Sequence, residues 1–424
     1  DLGGQVRGRG ALSTLIREAA EVRDSIRRLV SSQSWKCEGF EWRELPPPAG
    51  RVPHSAEDGG SNISRLRTYS LVTARAWAAS FTDDGVGGRT YESSFVGLVL
   101  PQGYKAMPRL QVYREVLEAH VARLAVVSGG LALYDGSPPL KWGRVGRKLT
   151  WEGVLEALAM LIKAAGDRAR PLTEATCDAP DPECAVEAVA SAKVRPFVPR
   201  LLLSLPGLDA IEEVSRKLGP APPAERYEWL VGAENFERLY MYKLSIEEAW
   251  RRGSVPVFLV KTSRSTSFCH EQLPDVHVIE AILRLRRLFS EGYAVAGLYN
   301  DIYEYFGLSS KGGKATLYPS LGGVSDFYES RVSVLSMYAR LRPGGYVFRV
   351  DAVVERERAL GSSPEALAAD VLSRLRSVPL SDTGYPISLI IADSKARVTQ
   401  DELERVLKVI GVDLTPESRS VLRV

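Results

Sequence analysis

Leu131-Ala132-Leu133-Tyr134-Asp135-Gly136-Ser137 is the stretch on which the fold turns. A short apolar run closed by Asp and Gly reads as a buried strand with an acid at its carboxyl end. In open α/β sheets, functional side chains gather at that end. Upstream, residues 109–126 read as a helix. Before it, Ser70-Leu71-Val72-Thr73-Ala74-Arg75-Ala76-Trp77 and Ser94-Phe95-Val96-Gly97-Leu98-Val99-Leu100 read as strands, with turn material from Asp83 to Gly88 between them. Hairpin strands, then a helix, then an acid-ended strand give an α/β order.

Downstream, helices are predicted at 151–165 and 233–252, with a Pro-rich stretch between them that reads as an insertion over about 166–230. A buried strand comes next at 255–260, then a helix at 275–289 and strands at 346–354 and 387–392. Thr399 and Glu402 form a capping-box pattern opening a last helix at 399–409. Residues 11–30 carry an apolar stripe at helical spacing, and Pro46-Pro47-Pro48 separates them from the rest of the chain. The expected organisation is an N-terminal helical segment, 1–45, and one large domain, 46–424. No fixed-period repeat is visible.

The chain has 424 residues, with 45% hydrophobic and 25% charged, as in a folded globular protein. No apolar run is long enough to span a membrane, and the polar, basic start has no signal-peptide pattern. A cytoplasmic location is therefore expected; the absence of an initiating Met reads as a trimmed chain. A net charge of +3 does not diagnose a nucleic-acid partner, although Lys141, Arg144, Arg147 and Lys148 cluster around Trp142, and Arg284, Arg286 and Arg287 cluster on a predicted helix. No CxxC pair exists among Cys37, Cys177, Cys184 and Cys269, which argues against a zinc ribbon. Cys177 and Cys184 flank a Pro- and Asp-rich loop and are placed for a local disulfide, acceptable inside a hyperthermophile. Arg outnumbering Lys, with 4 Met, leans the same way.

Two segments could carry chemistry. Ser55-Ala56-Glu57-Asp58-Gly59-Gly60-Ser61-Asn62 precedes the hairpin, and Asp135-Gly136-Ser137 ends the later strand. Each puts a carboxylate beside a small residue that leaves room and permits unusual backbone angles. Two such acids converging from neighbouring strands would supply the hard oxygens a divalent cation needs. Asp-Gly is equally at home in an ordinary turn. Between them, Glu115 and Glu118 lie near one helix face, either able to add a third oxygen or to sit in solvent. His54 precedes the first acid and could orient a phosphate or water; His120, His270 and His277 read as surface or helix residues.

In order along the chain, Asp58-Gly59-Gly60-Ser61, the hairpin, the acidic helix and Leu133-Tyr134-Asp135-Gly136-Ser137 resemble the archaeal NurA family. The likeness continues through Val257-Phe258-Leu259-Val260-Lys261-Thr262-Ser263, the helix opened by Asp275, Met337-Tyr338-Ala339-Arg340-Leu341, Phe348-Arg349-Val350-Asp351 and Tyr385-Pro386-Ile387-Ser388-Leu389-Ile390-Ile391-Ala392-Asp393. It spans about residues 55–410. The resemblance implies an RNase H-like mixed sheet flanked by helices, and Mn²⁺-dependent cleavage of DNA, with Mg²⁺ possible. It implies metal ligation by Asp58, Asp135 and Glu115 or Glu118, between which the sequence does not choose. Tyr385 falls at the family's tyrosine position. Asp393 falls where the family often has His, a change that keeps an oxygen donor but weakens the case for Mn²⁺ over Mg²⁺. Lys261, Arg349 and Trp142 are the expected DNA contacts, Arg349 with an ion pair to Asp351 or Glu355 as its alternative. The resemblance further implies a homodimer acting on single strands and duplex ends with a HerA-type hexameric ATPase, as a 5′-to-3′ exonuclease and single-strand endonuclease in end resection. No phosphate-binding GxxxxGK[ST] loop occurs here, and Lys311-Gly312-Gly313-Lys314 is only a basic glycine turn. Two other readings share the fold: a non-catalytic DNA-binding adaptor that stimulates the ATPase, and a nuclease acting on RNA.

Overall fold

Strand β1, His54–Arg65, opens a three-stranded antiparallel meander with β2, Ser70–Phe81, and β3, Thr90–Leu98. The computed structural model describes residues 36–65, 69–82, 88–101, 103–138, 149–271, 273–306 and 318–411. The predicted helix at 11–30, most of the turn at 83–88, the basic cluster around Trp142 and the glycine turn at 311–314 lie outside the described residues. Among helices of eight residues or more, α1, Ala106–Ala125, comes first and leads to β4, Leu131–Asp135, which pairs parallel to β1. Helix α2, Trp151–Ala165, is followed by α3, Pro182–Ala190, α4, Phe197–Ser204, α5, Asp209–Lys217, and α6, Glu228–Arg251. Strand β5, Val255–Val260, then pairs parallel to β4. Strands β6, Gly292–Tyr299, β7, Val332–Arg340, and β8, Phe348–Glu355, complete an eight-stranded mixed sheet of order β3-β2-β1-β4-β5-β8-β7-β6. This is a mixed α/β sheet flanked by helices, as expected from the sequence.

Helices cover both faces of this sheet. On one, α1 buries Leu110, Tyr113, Leu117 and Val121, spaced three and four apart, against Val72, Ala74, Ala76 and Phe95. Its other side buries Val116, Ala119 and Ala122 with residues of α2 and α6. A side chain of α1, Arg109, is wholly buried and forks onto Glu234 of α6, whose Oε1 also accepts from Tyr113 at 2.7 Å. Thr150 caps α2 by accepting the Gly153 N–H. The Pro-rich insertion is helical and contributes to the core: Cys177, Ala185, Val189, Phe197 and Leu201 are buried in the same cluster as α2. Glu237 of α6 accepts the N–H groups of Phe197 and Val198 at the start of α4. The expected Cys177–Cys184 disulfide is present.

On the other face lie α8, Pro364–Arg376, α9, Ile387–Ala396, and α10, Gln400–Ile410, the last with the predicted capping box. Helix α9 corrects the strand expected at 387–392. Pro386 sits at its N-terminus, and the buried positions are Ser388, Leu389, Ala392 and Ala396, while Ile387, Ile390 and Ile391 are exposed. That is a helical period; the run of isoleucines concealed it. Strands β6 and β7 are not among the strands expected from sequence.

Contacts divide the chain into a large unit, Glu41–Ser263 with Phe289–Val424, which holds the whole sheet, and a small one, Arg264–Leu288 with the segment ending at Phe40. The small unit contains α7, Asp275–Leu285, and a Cys37–Cys269 disulfide.

Candidate metal centre at the carboxyl ends of the parallel strands

Pairing between β1 and β4 ends at Glu57 and Tyr134, and one further step in register sets Asp58 beside Asp135. Side chains alternate across a strand. Ala56 and Asp58 therefore share the face of Leu133, Asp135 and Leu259, under α8 and α9, while Glu57 and Gly59 share the face of Tyr134, under α1 and α6. Asp58 does not precede the hairpin strands, where the sequence reading set it; it lies within β1, itself paired with β2.

The glycines beside the acids act in different ways. Gly136 has φ of 100°, a conformation that turns the chain off β4 directly after Asp135, and its N–H donates to Leu259 at 2.8 Å. Gly59 is needed for space: a Cβ there would fall 2.2 Å from Oε1 of Glu118. A Cβ on Gly60 would fall 2.3 Å from the Ala396 carbonyl oxygen at the end of α9. The two bare positions let α1 and α9 close on β1 from opposite faces.

That packing separates the two helix glutamates. Glu118 sits on Gly59, pairs with Arg114 at 3.0 Å and takes a 3.5 Å contact from the Tyr242 hydroxyl. Glu115 pairs instead with Arg238 of α6 at 2.9 Å and accepts from Gln111. Asp135 accepts from Lys261 Nζ at 2.7 Å and from the Tyr385 hydroxyl at 3.0 Å, with the Lys261 ammonium 4.4 Å from the Tyr385 ring centre. Asp58 accepts the N–H of Gly59 at 2.7 Å. Asp393, on α9, is half-exposed, pairs with Arg397 at 2.9 Å and still adds to the negative potential at Asp58.

The electrostatics follow from this crowding. Burial, then the charges of Asp135 and Glu118, push the Asp58 carboxyl up to about 8. Burial pushes Glu118 up to about 7, against the opposing pull of Arg114. Glu57, missed in the sequence, is 2% exposed; burial and then Glu118, Asp58 and Asp135 hold its carboxyl well above the usual range. The Tyr385 hydroxyl is pushed up by burial and by Asp135, so it stays a donor.

Other expected residues fall elsewhere. His54 is buried four residues before Asp58, about 13 Å back along the strand at ~3.3 Å per residue, stacked on Phe81 and pushed down to about 4 by burial. It is a packing residue, not part of this centre. Arg349 pairs with Asp351 at 3.0 Å and with the Tyr305 hydroxyl, on the face opposite Asp135. Trp142 lies outside the described residues. Arg114, four residues before Glu118 at the spacing of a helical ion pair, and Tyr242, which was not singled out from sequence, complete the surroundings of that acid.

Among the described residues, no three His, Cys, Asp or Glu side chains converge as they stand to enclose a cation. Their oxygens are turned to Lys261, Tyr385, Arg114 and Gly59. The donor set nevertheless fits a hard divalent ion. Glu57, Asp58, Glu118 and Asp135 repel one another through the fold, and Oε2 of Glu57 is buried with no hydrogen-bond partner among the described residues. Few other ligands would relieve that concentration of buried negative charge.

A mixed sheet with acids from both faces placed near the end of the pairing between two parallel strands defines an α/β protein with a carboxylate cluster whose donors suit a divalent cation. The chain belongs to the NurA family: the family model of the NurA domain matches residues 55–398. Solved structures agree in fold. The NurA nuclease from Sulfolobus solfataricus is 17% identical, with 96% of this chain and 98% of that one covered and a TM-score of 0.55. A second NurA structure is 12% identical, covers 96% and 99%, and has a TM-score of 0.57. A NurA structure with manganese is 14% identical, covers 95% and 97%, and has a TM-score of 0.52. No curated protein matches the chain significantly. No helix among the described residues is long and apolar enough to cross a membrane.

Proposed function

We propose that this protein is a divalent-metal-dependent nuclease that hydrolyses DNA. The observation that supports this most is the register setting Asp58 beside Asp135, with Glu118 seated in the space left by Gly59. Asp58, Glu118 and Asp135 would hold the cation, with Asp393 at the rim; Glu115, in its ion pair with Arg238, is the weaker choice for the helix ligand. A bound divalent ion supplies charge stabilisation at the phosphate and acidifies a water. Tyr385 fixes Asp135 by donating to one carboxylate oxygen. Lys261 neutralises the other oxygen and, 40% exposed, can turn its ammonium toward a backbone phosphate. Burial of Glu57, Glu118 and Tyr385 limits water around the acids.

Manganese is the preferred ion by analogy with the NurA structure solved with it, and magnesium is the alternative. By family, the reaction would be 5′-to-3′ exonuclease and single-strand endonuclease cleavage, by a cytoplasmic homodimer working with a HerA-type hexameric ATPase in DNA end resection for double-strand break repair, in a thermophilic archaeon. Arg349 is a poor candidate for a DNA clamp, because its guanidinium is spent on Asp351. The test is cleavage of end-labelled single-stranded and duplex DNA with Mn²⁺ or Mg²⁺. Wild type is expected to cleave, and Asp58→Ala and Asp135→Ala to lose cleavage while still binding DNA. A wild-type chain that binds DNA but is inert with every metal would turn the reading to a non-catalytic adaptor; preference for a matched RNA strand would move the substrate to RNA.

A further inference from the structure

Glu57 differs from the other buried acids of this fold. Glu234 is held by Arg109 and Tyr113, Glu237 by Arg195 and two backbone N–H groups, and Asp351 by Arg349, Ser336 and Tyr305. Glu57 is as buried as these, at 2% exposure, yet its Oε2 has no hydrogen-bond partner among the described residues. Leaving a carboxylate oxygen dry and unpaired is strongly unfavourable unless something else satisfies it.

Its surroundings indicate what that would be. Glu118, Asp58 and Asp135 are the charges that bear on it most, with Arg114 opposing them. It forms the last paired rung between β1 and β4, opposite Tyr134, one step before Asp58 and Asp135. Gly59, the next residue on its face, has no side chain and leaves that space to the Glu118 carboxylate. A buried, unsatisfied oxygen among these acids is a donor without a cation.

We propose that Glu57 is a further carboxylate donor of the divalent-cation centre, entering beside Glu118 from the face under α1 and α6 while Asp58 and Asp135 enter from the face under α9. The centre then draws ligands from both faces of the sheet, at the one rung where the strands part. This rests on the metal-dependent reading above.

Manganese binding to the full chain, followed by the electron paramagnetic resonance signal of free aqueous Mn²⁺, tests it without reference to cleavage. Glu57→Gln keeps the shape and removes the charge; Glu57→Met fills the same space with a poor ligand for a hard ion. Both are expected to bind Mn²⁺ at least tenfold more weakly than wild type, the range seen when even a supporting group of a metal site is removed. Neither should melt below wild type in chelator. Wild-type affinity in both variants overturns the proposal and leaves the nuclease reading standing. Unfolding of both variants in chelator overturns it too, because Glu57 would then serve packing. A wild-type chain that binds no Mn²⁺ removes both readings together.

Discussion

Replacing Asp58 by Asn should make the metal-free protein more stable while it destroys the centre. Asn keeps the shape and can still accept the Gly59 N–H, but it cannot ionise. In the wild type, the carboxyl is raised from 3.8 to about 8 by burial and by Asp135 and Glu118. The folded state therefore holds its proton more tightly than the unfolded chain does. Stability from this group is complete below pH 3.8, is lost as pH rises toward 8, and levels off above that. At ~1.4 kcal/mol per unit, the stability lost relative to acid is about 2 kcal/mol at pH 5, where only the unfolded chain has ionised, and about 5 kcal/mol at pH 8. The neighbouring acids relax when one charge is removed, so the gain of Asp58→Asn over wild type should grow by about 2–3 kcal/mol between those two pH values. For a chain of this size that is several degrees in melting temperature. The assay is thermal unfolding of both proteins in EDTA at pH 5, 6, 7 and 8, repeated with excess Mn²⁺. Mn²⁺ should raise the wild type by RT ln(1 + [Mn]/Kd) and leave the variant unmoved, reversing their order. A variant equally destabilised at every pH, in a protein indifferent to Mn²⁺, would refute the reasoning, because the acids would then neither crowd nor await a cation.

Other substitutions separate the remaining roles. Gly59→Ala drives a methyl into the Glu118 carboxylate, so cleavage should fall by about 10²-fold, the cost of displacing a reacting group by an ångström; kinetics at saturating metal check it, and an unchanged rate would detach Glu118 from the centre. Glu118→Gln should weaken Mn²⁺ binding with little loss of metal-free stability. Glu115→Gln should instead cost about 3 kcal/mol, by weakening the charge pairing of Arg238, and leave Mn²⁺ affinity intact; the opposite pattern would exchange the two residues. Arg349→Ala should destabilise the fold by about 3 kcal/mol, since it removes the guanidinium that faces the buried Asp351, without changing the salt dependence of DNA binding. A salt slope reduced by about one charge would restore Arg349 as a phosphate contact.

The parts of the fold that announce themselves in sequence are those whose local preference agrees with their final place. Strand β5 and helix α2 have the limits their apolar patterns give, and the Thr399–Glu402 cap forms as its spacing requires. Cys177 and Cys184 lie seven residues apart, close enough for a local pairing to be foreseen; Cys37 and Cys269 are 232 apart, and nothing local relates them. Strand β1 was hidden because Glu57, Asp58, Gly59 and Gly60 are poor strand formers. They hold extended geometry only because β2 pairs along the whole length of β1 and β4 along its start.

The site shows the same division. That Asp58 and Asp135 belong together could be read, since each ends on a glycine and the intervening elements return the chain to the sheet. Which helix glutamate packs nearest them could not, because Glu115 and Glu118 differ by less than one helical turn. The choice is made by the missing Cβ of Gly59 on a different element, which accepts one carboxylate and leaves the other to Arg238. In a sequence, the glycines after Asp58 and Asp135 look alike. In the fold, Gly136 is required for its backbone angle and Gly59 for the volume it does not occupy, and only the second carries information about a distant partner. Glu57 is hidden for a related reason. An acid beside another acid reads as solvated surface until the strand's alternation turns it inward, where its unpaired oxygen becomes the least comfortable atom of the centre.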